Sequence, residues 1–136
     1  MKFKALGLAG IAVALYAMPV VAHHSFAMFD ASKTMTLEGT VKEFQWTNPH
    51  SWIFLMVADA GGPPTQWAIE LGSPPGLVRQ GWVPKTLTAG MKVKVVLRPL
   101  KDGKPGGQFL AVTLPDGTQL GDPSTRGAGP GGNRVD

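Results

Sequence analysis

Met35-Thr36-Leu37-Glu38-Gly39-Thr40-Val41-Lys42-Glu43-Phe44-Gln45-Trp46 is the stretch on which the fold turns. Met35, Leu37, Gly39 and Val41 alternate with Thr36, Glu38, Thr40 and Lys42, the period of a half-buried strand. The apolar phase then moves to Phe44 and Trp46. A change of parity within one run predicts a bulge near Lys42-Glu43, and Gly39 lets the strand coil sharply.

Downstream, Asn48-Pro49 signals a turn, and Trp52 to Ala58 is apolar throughout, as in a strand covered on both faces. Gly61-Gly62-Pro63-Pro64 closes a hairpin into Thr65–Glu70, where Trp67, Ile69 and Leu71 share a face. Ser73 before Pro74, with Gly81 beyond, predicts one or two helical turns whose Leu77 and Val78 plug the core. Lys92 to Arg98 alternates with Val93, Val95 and Leu97 inward, and Pro99 ends it. Asp102-Gly103 turns the chain into a strand over Gln108–Leu114, and Pro115-Asp116-Gly117 turns it again toward Gln119-Leu120. Strand-strand-strand-helix-strand-strand predicts an all-β protein with one short helix, a small five-stranded OB-like barrel. Phe44, Trp46, Trp52, Phe54, Trp67 and Val95 are its expected folding core.

The ends read differently. Lys2 and Lys4 precede an uncharged run from Ala5 to Ala22, closing with small residues at Val20 and Ala22. This predicts a signal peptide over 1–22, cleaved after Ala22, and a periplasmic or secreted protein with no membrane span once cleaved. Residues 23–34 form an extended arm, 35–120 the barrel, and 121–136 a Gly/Pro-rich tail too polar to order itself.

Composition supports this reading. Of 136 residues 43% are hydrophobic and only 16% charged, with 18 Gly and 12 Pro, which favours a turn-rich β domain over long helices. Cysteine is absent, so disulfides, thiolate metal sites and Cys nucleophiles are excluded. The chain has 13 basic and 9 acidic residues; losing Lys2 and Lys4 lowers the net charge from +4 to +2. That is too little for a nucleic-acid footprint. Lys92, Lys94, Arg98, Lys101 and Lys104 read as protection of strand edges.

Ala22-His23-His24-Ser25-Phe26, Leu37-Glu38-Gly39-Thr40-Val41, Trp46-Thr47-Asn48-Pro49-His50-Ser51-Trp52, Trp67-Ala68-Ile69-Glu70, Gly72-Ser73-Pro74 and Gly81-Trp82 together resemble a family of small exported bacterial proteins known only as a domain of unknown function. The resemblance covers about residues 20–120. It implies an exported OB-like barrel, and no activity or site residue.

Three histidines carry the chemistry. Cleavage after Ala22 would leave His23 at the N-terminus, where its α-amine and ring nitrogen together can chelate a metal. With His24 and His50, which sits in the turn after the first strand, this predicts a nitrogen-rich Cu(II) site. The competing reading has His23 and His24 merely follow the leader, and His50 pack against Trp46 or Trp52. Met28 is either a soft ligand or an apolar staple, and Asp30 either orients an imidazole or is solvated. Trp46, Asn48, Trp52, Trp67 and Trp82 are candidates for a ligand groove, against a core-and-rim role for the tryptophans. No nucleophile elbow, phosphate loop or zinc-helix motif is present, and Glu38, Glu43 and Glu70 have no spacing that argues for paired carboxylates. The expectation is therefore a non-enzymatic binding protein. It would handle copper, or else dock a periplasmic protein or small ligand on its barrel face or in the groove.

Overall fold

The strand that opens the barrel, β1 (Met35–Gln45), pairs with two neighbours in succession. In the computed structural model, which describes residues 26–122, Met35–Thr40 lie against β4 (Lys92–Pro99) and Thr40–Gln45 against β2 (Trp52–Val57). The change of partner needs a tight bend. A Cβ at Gly39 would stand 2.5 Å from the Met56 carbonyl oxygen and 2.9 Å from Leu55 Cγ, so only glycine lets the strands approach this closely. The register with β2 then slips between Val41 and Glu43, which is the bulge the parity change predicts. It returns Phe44 and Trp46 to the side of Leu37 and Val41, against the core.

The other elements are β3 (Thr65–Glu70), α1 (Pro74–Arg79), β5 (Gly106–Thr113) and β6 (Gln119–Gly121). Neighbours run β3-β2-β1-β4-β5-β6, and a parallel pairing of Ala68–Glu70 with Gly106–Gln108 joins β3 to β5. The circuit β1-β2-β3-β5-β4 closes on itself, with α1 between β3 and β4. This is an OB-type barrel. β5 starts at Gly106, two residues before its predicted start, because those residues make the closing pairs; β6 runs one residue into the expected tail. The expected leader, His23, His24 and residues 123–136 lie outside the described residues. No described helix is long and apolar enough to cross a membrane.

Inside lie Leu37, Val41, Ile53, Leu55, Ile69, Val93, Val95, Leu97 and Val112, each side chain contributing about 1.5–3 kcal/mol on burial. Phe44, Trp46, Trp67 and Val95 are in or against this core as expected. Trp52 and Phe54 are not, because they alternate with the fully buried Ile53 and Leu55 and so face the outside of β2.

α1 plugs one end. Ser73 is at its N-cap but makes no side-chain cap; Pro74 enters the first turn, where a missing N–H costs nothing. At the other end Gly81 N–H donates to Val78 O and Trp82 N–H to Leu77 O, a Schellman closure that needs the left-handed Gly81 (φ +88°). The closure turns Trp82 inward, where it is fully buried beside Leu77 and Leu87. Val78, expected in the core with Leu77, is instead 57% exposed on the helix's outer side.

Candidate functional site

Before β1, a 3₁₀ turn at Phe26–Met28 leads into Phe29, which is buried and bridges Leu100. Asp30 N–H donates to Pro99 O at 2.8 Å and Lys101 N–H to Met28 O at 3.0 Å. These bonds pin the arm to the far end of β4. The Asp30 carboxylate accepts from the Ser32 backbone and hydroxyl and pairs with Lys33 at 3.3 Å. The Ser32 hydroxyl bond is the largest cause that holds it below the usual carboxylate range. Asp30 is thus an anchor of the arm and orients no described imidazole. Met28 is 44% exposed, and its carbonyl rather than its sulfur holds the arm in place.

A second tie positions His50. The turn Thr47–His50 contains a cis Asn48-Pro49 bond and is spanned by the Thr47 hydroxyl donating to His50 O at 2.7 Å. Ser51, fully buried, exchanges backbone bonds with Leu71 and Gly72, extending the β2–β3 ladder by one step. His50 therefore stands beside the end of β3. Its Nδ1 is 3.2 Å from Leu71 O and 3.3 Å from Glu70 Oε1. Both neighbours are acceptors, so Nδ1 carries the hydrogen and, in the neutral ring, Nε2 the lone pair. A backbone carbonyl and a carboxylate on one ring nitrogen are the partners that fix a metal-binding histidine's tautomer.

The two ties meet at a cleft of about 510 Å³. Phe26 and Phe29 of the arm, His50, Glu70, Leu71, Leu77, Gln80, Gln108, Phe109, Leu110 and Asp122 line it. Glu70 and Gln108 come together because they are register partners across the β3–β5 closure. Among the described residues no three metal-ligating side chains stand together.

One expectation needs correction. The five candidate groove residues do not share a surface. Trp82 is fully buried, with its ring 5.7 Å from Phe44 and 5.4 Å from Phe109. Trp46 and Trp67 pack on the core from inside the barrel, while Trp52 is outside and Asn48 lies exposed in its turn. The inward turns of β1 and β3, and the Gly81 closure, separate them. His50 pairs with Glu70 and Leu71. The carboxylates stay apart, with Glu38 on Lys94 at 2.9 Å and Glu43 accepting from Gln45 at 3.0 Å.

Phe26, Glu70 and Gln108 were missed as cleft residues. Only Phe26, next to the histidine pair, carries a local signal; Glu70 and Gln108 meet through a long-range pairing.

The family of unknown function DUF6152 matches residues 11–109, which span the arm, the turn of His50 and the barrel as far as Phe109. The chain belongs to this family. A DUF6152 assignment brings no activity with it. No curated protein matches the chain. Among solved structures, two crystal structures of the S. cerevisiae mitochondrial single-stranded DNA binding protein Rim1, one selenomethionine-labelled, are similar at 13% identity. Each covers 60% of this chain and 92% of its own, with a TM-score of 0.47. DNA binding is said of Rim1, and the barrel assignment of this DUF6152 chain stands on its own strand pairing.

Proposed function

We propose that the protein is an exported, non-enzymatic binding protein that takes Cu(II) at the mouth of the cleft through His23, His24 and His50. The observation that carries this reading is that Phe26 lines the same cleft as His50. His23 is three residues upstream of Phe26, a reach of about 10 Å in extended chain. After cleavage behind Ala22, the His23 α-amine, with a reference pKa of about 7.7–8.0, loses its proton to a metal at little cost. It closes a chelate with the His23 ring. His50, its Nδ1 hydrogen held by Leu71 O and Glu70, brings its ring to the same cleft as a further nitrogen donor, and His24 completes a tetragonal set suited to Cu(II). Export to the periplasm and removal of the leader belong to the same proposal.

The test is a Cu(II) titration of protein processed in a bacterial periplasm, its mature N-terminus confirmed by intact mass, beside a form with one residue added before His23. The processed form should bind one equivalent, and the extended form far more weakly, because the α-amine is then an amide. Equal binding by both forms would contradict the chelate.

A further inference from the structure

The cleft has a chemistry beyond the copper reading, which draws only on its His50 and, through that ring, on Glu70. Its walls are the rings of Phe26, Phe29 and Phe109 with Leu71, Leu77 and Leu110. Its polar groups are the Glu70 carboxylate, the amides of Gln80 and Gln108, the His50 ring and, at the rim, Asp122. No lysine or arginine lines it among the described residues, although the chain as a whole is net positive. Glu70 is 8% exposed, and its one partner among the described residues is His50 Nδ1. A carboxylate has about four acceptor positions, and a buried one is costly unless donors or a positive charge satisfy it.

We infer that the cleft is a binding site for a small organic ammonium with an aromatic or branched apolar body, its cation placed against Glu70. The fit is one of charge and shape. The ammonium supplies hydrogens and charge to the carboxylate, and the Gln80 amide oxygen and the second lone pair of Gln108 Oε1, whose first accepts from Arg98 at 3.4 Å, accept further N–H bonds. The phenylalanine rings take the apolar body, and their faces attract the cation. A volume of about 510 Å³ is in the range of small-molecule sites. An anion would meet the Glu70 carboxylate in a lining that holds no lysine or arginine among the described residues, so the cleft favours a cation over an anion. This inference stands apart from the copper reading, since it needs Glu70 and Phe26 but neither His23 nor His24.

The probe is phenethylammonium, titrated calorimetrically into the processed protein with a chelator present, beside neutral 2-phenylethanol and anionic 3-phenylpropionate. The ammonium should bind about tenfold more tightly than the alcohol, the gap expected of a hydrogen bond to a charged group. The carboxylate should not bind. Glu70→Gln should bring the ammonium down to the level of the alcohol. Phe26→Ala, at a position 73% exposed and so without consequence for folding, should weaken both ligands together. Equal affinity for ammonium and alcohol in the unaltered protein would overturn the inference, as would Glu70→Gln leaving ammonium binding intact. Should Glu70→Gln not fold, the three-ligand comparison and Phe26→Ala decide alone. The chelator keeps this result separate from the copper titration.

Discussion

Gly81, Phe29 and Asp30 each do one physical job that a single substitution removes. Gly81 holds φ +88°, so Gly81→Ala should cost about 1–2 kcal/mol through the left-handed backbone, seen as a lower urea midpoint with unchanged slope. Phe29 is 6% exposed and seats the arm. Phe29→Ala should cost about 3 kcal/mol, read by the same denaturation. Asp30 gives a pH signature. Its folded pKa is depressed, so its contribution is complete above the unfolded value of about 3.9 and is lost as pH falls through the folded one. Asp30→Asn should therefore lower stability at neutral pH and flatten the acid limb of the stability–pH curve. An acid limb unchanged in Asp30→Asn would mean that the Ser32 and Lys33 contacts do not stabilise the fold.

At the scale of elements, β1 decides most. Its alternation, its parity change at Lys42-Glu43 and its glycine were readable because each follows from side-chain period within a few residues. Gly39→Val should be severely damaging, since Met56's backbone cannot yield without breaking the β1–β2 ladder. Circular dichroism after expression should show loss of the native β signal, and a native spectrum with an unshifted melt would refute the close approach. The run Trp52–Ala58 was less legible. Apolar on both faces, it holds no period to say which side is inside, so nothing in the run itself tells that Ile53 and Leu55, rather than Trp52 and Phe54, enter the core. The helix was readable from Pro74 and Gly81. The exposure of Val78 was not, because a helix of under two turns has too few residues to define a buried face.

For the whole molecule, the barrel was legible as an order of elements, but the cleft was not. It exists where β3 meets β5 in parallel, where α1 ends and where the arm is pinned to Pro99 and Lys101, and none of these contacts is local in sequence. The histidines were visible from the start. That His50 would share a cleft with the arm depended on the closure, and so did its pairing with Glu70. The central claim is that arm and cleft form one copper site. The most direct measurement is the electron paramagnetic resonance spectrum of one equivalent of Cu(II) on the processed protein and on His50→Gln. The account predicts a nitrogen-rich tetragonal spectrum that loses the coupling of one nitrogen in the variant. Identical spectra would contradict it.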